Sequence, residues 1–423
     1  ITDRIMATKV RYQTRAAKTP PFDAIIGEYL RTGGRPYIHI CWMVHNHCNH
    51  RCSYCDKANW GGDHPWPTLE SAKRFFEQVF RHYHDRKVVV SFTGGEPTLW
   101  PDFRSLVDWL HERKISLGMT SNGTMGAKYF AEISPKLDWL SLSFHPQFTN
   151  PEPFLETVLA SSASPHLTVR LMMPPERRLW NRSMDFSKKI RQSSRLNRSI
   201  SVEHVPIVDG FGSTNTKPVQ YEADQSQEFA RTSITVGPET PKPIQSPISN
   251  IFAGFAGPPK AYADYDLNQL VADGAANFFG WRCEIGREQL FIDSSGHILR
   301  AGCRVGGGVG HLNDADIQFP TAGIRCNKTF CHCVTDVIVT KASPRWDLID
   351  AIHNKHDRIA VFRVLNSYGR FLTAHAQARL SRALDETHRL IKTTLPPRLY
   401  YTIRDGFRIL RRPLKHLRSR ASS

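Results

Sequence analysis

Three cysteines, Cys48, Cys52 and Cys55, stand at C-x3-C-x2-C spacing in the stretch Cys48-Asn49-His50-Arg51-Cys52-Ser53-Tyr54-Cys55. Thiolates spaced this way suit three corners of a cubane 4Fe-4S cluster, for which cysteine is the usual ligand. An electron-transfer cluster takes four thiolates. A loop that supplies three leaves one iron open to bind something else. The next cysteine in the chain is Cys283, so the loop itself has no fourth. Zinc is the competing reading, with His45, His47 or His50 as the remaining ligand. Disulfides fit poorly, because three is an odd number and secretory features are lacking.

A second set follows far downstream: Cys283, Cys303, Cys326, Cys331 and Cys333. Five cysteines in about fifty residues exceed chance usage and read as metal ligands. Four of the five could hold a structural zinc or a second 4Fe-4S cluster, and spacing alone does not separate the two. Cys41 lies in an apolar run and reads as a small buried hydrophobe.

Stepping outward from these residues, the chain alternates strands and helices. Apolar, β-rich runs predict strands over 36–44, 87–92, 115–120, 137–144, 167–173 and 200–207. Helical spacing predicts helices over 67–83, 102–112, 154–161 and 184–192, with Thr68 as an N-cap and a short helix between the third and fourth strands. Regular alternation implies a parallel sheet with right-handed crossovers. In such a barrel the loops after the strands share one mouth, so the cysteine loop, Gly94-Gly95-Glu96-Pro97 and Ser121-Asn122 should converge there.

The expected fold is α/β: a partial six-unit (β/α) TIM-like barrel, a small cysteine-rich auxiliary domain and a helical basic tail. The division reads as an N-terminal extension over 1–35, the barrel over 36–210, a linker or insert over 211–275, the auxiliary domain over 276–340 and the tail over 341–423. A short helix is expected near 22–30. The Pro-, Gly- and Ser-rich stretch 237–259 reads as linker. Leu290–Leu299 reads as a hairpin around a Gly-containing turn.

Charge gives a weaker clue. The chain of 423 residues carries a formal net charge of +17. That suits an anionic partner, whether nucleic acid, a phosphorylated substrate or an acidic membrane surface, and it equally suits a solvated basic face. Near the end, Leu399, Ile403, Phe407 and Leu410 alternate with Arg404, Arg408, Arg411, Arg412 and Lys415. This basic amphipathic pattern could lie on a membrane surface or dock on the domain. No apolar run is long enough to span a bilayer, and the first twenty residues lack the apolar core of a secretory signal. A cytoplasmic protein, with peripheral membrane contact as an option, is expected.

With C-x3-C-x2-C, the aromatic Tyr54 before the third cysteine and Gly94-Gly95-Glu96-Pro97 at the next strand end, the chain resembles the radical SAM superfamily. Its C-terminal half resembles the SPASM/twitch subgroup, whose extra domain carries auxiliary iron–sulfur clusters. The resemblance covers about residues 36–335, and a set of five cysteines suggests one auxiliary cluster. It implies that Cys48, Cys52 and Cys55 hold a 4Fe-4S cluster whose open iron is chelated by S-adenosylmethionine. Gly94, Gly95 and Glu96 would receive the methionyl amine. Ser121, Asn122 and Ser143 would serve ribose or carboxylate, Arg170 the carboxylate, and Tyr54 would lie by the adenine. Cys283, Cys303, Cys326, Cys331 and Cys333 would supply the auxiliary centre.

The implied activity is reductive cleavage of S-adenosylmethionine and abstraction of a substrate hydrogen. The expected substrate is a peptide or a sugar-type molecule, and the expected electron donor a flavodoxin or ferredoxin. Two alternatives stay open: a radical SAM enzyme acting on RNA, although no RNA-binding module is recognisable, and a structural zinc protein that binds nucleic acid.

Overall fold

The computed structural model describes residues 24–27, 37–196, 200–209, 217–228, 234–236, 250–255, 262–266, 276–331 and 333–343. The expectations for 1–23, for the basic amphipathic stretch 399–415 and for the rest of 344–423 lie outside the described residues.

Strand β1 is Ala24–Gly27 and β2 is Tyr37–Met43. Five βα repeats then build the wall: α1 Leu69–His82, β3 Lys87–Thr93, α2 Phe103–Glu112, β4 Ser116–Ser121, α3 Gly126–Ile133, β5 Trp139–Phe144, α4 Pro151–Ala160, β6 His166–Met173, α5 Arg177–Arg191 and β7 Ile200–Pro206. Short pieces follow: β8 Val208–Asp209, β9 Lys217–Pro218, α6 Ala223–Glu228, β10 Ile234–Val236, β11 Asn250–Phe255 and β12 Tyr262–Asp266. The cysteine-rich part supplies β13 Arg282–Cys283, β14 Gln289–Ile292, β15 His297–Leu299, β16 Gly308–His311, β17 Ile324–Arg325 and β18 Lys341–Ala342.

The main sheet runs β10-β7-β6-β5-β4-β3-β2-β14-β15-β16. Each neighbouring pair from β14 through β2 to β7 is parallel. The partial barrel of the sequence reading is therefore present. Its strands alternate by the two-residue period of β structure. One side of the sheet is apolar: Ile38, Ile40, Trp42, Val90, Phe92, Leu142, Phe144, Val169 and Leu171 are buried in one core against the helices. Trp42 meets Phe76, Phe92 and Trp100 at ring separations of 6.0–6.1 Å, which locks β2, β3 and α1 together. Helix α1 begins where expected, with Thr68 accepting a hydrogen bond from Ser71 N at 3.1 Å.

Three expectations are corrected. Residues 24–27 form a strand, not a helix, because Ala24–Gly27 pair with Gly254, Phe255 and their neighbours on β11. Within the stretch read as linker, 250–255 is that same β11, held between β1 and β12. Helix α5 begins seven residues before the predicted start, as Leu179, Trp180 and Ser183 extend its buried face.

The hairpin β14–β15 does not stand apart as a separate unit. β14 pairs in parallel with β2, Gln289 opposite His39 and Ile292 opposite Trp42. The segment read as an auxiliary domain thus continues the barrel wall. No helix among the described residues is long and apolar enough to cross a membrane.

Candidate active site and a second cysteine cavity

The loop Cys48–Cys55 leaves the C-terminal end of β2 and is clamped by the strand beside it. Val44 N donates to Thr93 O at 2.9 Å, Gly95 N to His45 O at 2.8 Å and Glu96 N to His47 O at 2.7 Å. This close approach explains both glycines. A Cβ on Gly94, whose φ is +118°, would sit 2.7 Å from His45 O, and one on Gly95 would sit 2.0 Å from His47 O.

Four further strand ends close on the loop. After β4, Asn122 Nδ2 donates to Asn49 Oδ1 at 2.8 Å and reaches Cys48 Sγ at 3.9 Å. After β5, His145 Nδ1 lies 3.4 Å from Cys52 Sγ and 2.8 Å from the Tyr54 hydroxyl, with the two rings stacked. Gln147 Oε1 accepts from Ser53 N at 2.9 Å. Met172 in β6, and Ile207 just past β7, pack with Cys52 and Tyr54. The expected convergence of loops on one mouth is present.

Inside the loop, Cys55 N donates to Cys52 O at 3.0 Å and His50 N to Cys48 Sγ at 3.3 Å. A hydrogen bond from the Cys55 thiol lowers the Cys52 pKa to about 4 and outweighs burial, with His145 assisting; the Cys55 thiol is correspondingly raised. Burial pushes Cys48 up to about 11, opposed by the His50 amide. The Cys52 sulfur is thus favoured as thiolate, the form in which cysteine binds a metal.

Several residues proposed for cofactor contact are held by the protein itself. Glu96 is fully buried. Its Oε1 accepts from Thr98 Oγ1 at 2.6 Å and Ser121 Oγ at 2.7 Å, and its Oε2 accepts from Asn122 N at 2.7 Å. Burial raises its pKa against those donors. Asn122 Oδ1 accepts from Thr124 N at 3.1 Å. Glu96, Ser121 and Asn122 therefore tie the ends of β3 and β4 under the cysteine loop. Tyr54 likewise gives its hydroxyl to His145.

The other face of the sheet is polar. Ser143, Arg170 and Glu203 form one row across β5, β6 and β7. Arg170 Nε pairs with Glu203 Oε2 at 3.4 Å but makes no hydrogen bond although it is buried. The wall continues through Thr168 and Ser141 to Thr120, and on β2 through His39, whose Nε2 meets Ser91 Oγ at 2.5 Å.

The second cysteine set is built from separate segments. Cys283 on β13, Cys303 after β15, Cys326 after β17 and Cys331 line one cavity together with Asp336 and Lys341. Main-chain bonds fix them: Cys326 N to Trp281 O at 2.9 Å and Cys331 N to Ala276 O at 2.8 Å. The buried Asp336 accepts from Cys303 N at 2.6 Å, Gly302 N at 3.1 Å and Gln289 Nε2 at 2.8 Å. Burial raises the Cys303 and Cys331 thiols, and it pushes Cys283 up to about 11.

Cys333 does not line that cavity. Its Sγ lies 2.9 Å from Thr335 Oγ1, and the same hydroxyl bonds Cys41. The fifth cysteine of the set is thus directed toward the barrel strand. Among the described residues, no three His, Cys, Asp or Glu side chains close on one point as a single metal ion requires.

Sequence reasoning missed His145, Asp336 and Lys341. His145 had a signal, since it directly follows a strand whose loop faces the mouth. Asp336 and Lys341 had none, since their role depends on segments far apart in sequence.

Comparison with known proteins agrees with the site. Curated relatives include a 7-carboxy-7-deazaguanine synthase of Bacteroides thetaiotaomicron, 31% identical over 122 residues, and a GTP 3′,8-cyclase of Photorhabdus laumondii, 31% identical over 93 residues. These cover 29% and 21% of this chain and 57% and 28% of the relatives, so the chain spans little more than half of the one and under a third of the other. Among solved structures, Streptococcus suis SuiB bound to S-adenosylmethionine aligns at TM-score 0.40 and 16% identity, over 67% of this chain and 63% of that one. The enzyme anSMEcpe with bound AdoMet and Cp18Cys peptide aligns at TM-score 0.36 and 15% identity, over 66% and 78%. Residues 42–155, which hold the three-cysteine loop and the Gly-Gly-Glu-Pro strand end, match the family model of the radical SAM superfamily.

Proposed function

We propose that the chain is a radical SAM enzyme of the SPASM/twitch type, with one auxiliary iron–sulfur centre. The observation that carries this is the joint placement of a three-thiol loop at the barrel mouth and a four-thiol cavity built onto the same sheet. A radical SAM domain uses S-adenosylmethionine and a 4Fe-4S cluster. The residues fit: Cys48, Cys52 and Cys55 are free thiols on one short loop, the donor set a 4Fe-4S cluster takes.

Cys48, Cys52 and Cys55 would hold the first cluster, and Cys283, Cys303, Cys326 and Cys331 the auxiliary one. When bound, the cofactors supply one-electron cleavage of the sulfonium to methionine and a 5′-deoxyadenosyl radical, which takes a hydrogen atom from the substrate. The protein's part is orientation and exclusion of water. Gly94 and Gly95 let the backbone approach the loop and the methionyl amine. Glu96, Ser121 and Asn122 hold the strand ends that carry these contacts. Arg170, with its buried Nε lacking a hydrogen bond, would take a carboxylate through its planar fork. Ser143 offers a hydroxyl beside it.

The polar inner wall of Thr120, Ser141, Ser143, Thr168, Arg170 and Glu203 supports a substrate rich in hydrogen-bonding groups, a peptide or a sugar-type molecule, and a peptide-bound neighbour such as anSMEcpe is in keeping with the former. A flavodoxin or ferredoxin would deliver the electron. A cytoplasmic setting and peripheral membrane contact remain part of the proposal, through the basic pattern over 399–415.

The test is anaerobic reconstitution with iron and sulfide. About eight irons per chain and release of 5′-deoxyadenosine and methionine on dithionite reduction would support the reading. A colourless chain that takes up zinc alone and leaves S-adenosylmethionine intact would overturn it.

A further inference from the structure

Lys341 is the one buried lysine of the described core, 1% exposed, and it lines the second cysteine cavity. It sits on β18 opposite Cys283 on β13. Its ammonium is caged by main-chain carbonyls: Asp336 O at 2.5 Å, Val339 O at 3.0 Å and Val337 O at 3.2 Å. The Phe278 ring lies 5.1 Å away. The cavity's own carboxylate, Asp336, is occupied by Gln289, Gly302 and Cys303, and among the described residues Lys341 has no ion-pair partner.

A buried cation whose neighbouring carboxylate is engaged by other donors is costly to desolvate, and carbonyl dipoles offset this only in part. Four thiols share the cavity with it. As neutral thiols they add no compensating charge. As thiolates around a metal centre they carry net negative charge, which the ammonium meets across a low-dielectric space where such pairs are strong. A fixed cation there also favours any state with one more electron.

We infer that Lys341 is the built-in counter-charge of the thiolate-ligated centre in this cavity, and that it raises that centre's reduction potential. It acts as a positioning and tuning residue, with no direct part in substrate chemistry. The inference rests on the reading of the cavity as an iron–sulfur site, and its test separates the two.

The full-length chain, its Lys341→Met variant and its Lys341→Arg variant are reconstituted anaerobically with ferrous iron and sulfide. Each is titrated with dithionite through redox mediators and followed by EPR, and the auxiliary signal is the one unchanged on adding S-adenosylmethionine. Lys341→Met should disfavour reduction of that centre about tenfold or more, 59 mV for one electron. Lys341→Arg, which keeps the charge, should titrate near the parent. If Lys341→Met sheds the auxiliary irons while Lys341→Arg keeps them, the counter-charge is equally supported. An unchanged potential in Lys341→Met, or loss of iron in both variants, overturns the inference and leaves the cluster reading intact. A parent chain with only about four irons overturns both.

Discussion

The two cysteine sites are built in opposite ways. The first lies within eight consecutive residues, and its surroundings are strand ends that arrive in order around a barrel mouth. The second draws four thiols from 283 to 331 and adds Asp336 and Lys341 from beyond them. In the first, backbone bonds from Gly95 and Glu96 hold a local loop. In the second, strand pairing, main-chain bonds, a carboxylate and an ammonium together hold segments that are far apart in sequence. A site encoded by spacing tolerates change elsewhere in the fold. A site encoded by packing depends on every segment that meets in it.

The sharpest way to break this comparison is to remove one ligand from each. Cys52→Ala should abolish 5′-deoxyadenosine release, by more than roughly a thousandfold, since the reaction has no comparable uncatalysed route. It should retain the auxiliary irons. Cys303→Ala should do the reverse to the iron content, losing the second set and keeping the first. Iron and sulfide analysis with product chromatography reads both; coordinated loss of all iron in either variant would show that the sites are not independent.

Next in size is Gly95→Ala. Its new methyl group would meet His47 O at 2.0 Å, so the cysteine loop must move. Overpacking of this kind costs about 1–3 kcal/mol. Lower unfolding midpoints and weakened cluster retention at the first site alone are expected. Parent-like stability and iron content would contradict the clamp.

Glu96→Gln tests the floor of the same loop. An amide replaces one acceptor oxygen with a donor opposite Ser121, Thr98 or Asn122. Loss of a charge-assisted buried hydrogen bond costs about 1.5–3 kcal/mol. Denaturant unfolding should show it, and the auxiliary centre should be unaffected.

An effect confined to acid pH lies at the seam that joins the two regions. His39 on β2 stands opposite Gln289 on β14, and burial lowers its pKa from 6.5 to about 4. Its folded value is below its unfolded value, so the unfolded chain binds the proton first as pH falls. The stability it contributes is present above pH 6.5 and is lost between 6.5 and about 4, on the order of 3 kcal/mol in all. His39→Gln should flatten the stability profile over that window. A variant with the parent's slope there would remove His39 as the cause.

Much of the barrel was legible. Strand and helix periods located every βα repeat of the wall, because each repeat buries one apolar face and that face has a period. Thr68 announced its helix by capping chemistry. The join of β14 to β2 was not legible, since a short apolar run shows that a strand exists and not which edge it pairs with. The mutual hydrogen bonds of Glu96, Ser121 and Asn122 were not legible either: residue type gives hydrogen-bonding capacity, and only packing tells which protein partner uses it.

Sequence alone determined the three-thiol loop, the glycines beside it and the alternating wall, because these follow from neighbours a few residues apart. The tertiary structure decided which four of the five later cysteines share a cavity, turned Cys333 toward Cys41, and set Lys341 among the thiols. Those outcomes depend on where distant segments dock, and docking is settled by the burial of whole faces rather than by any local spacing.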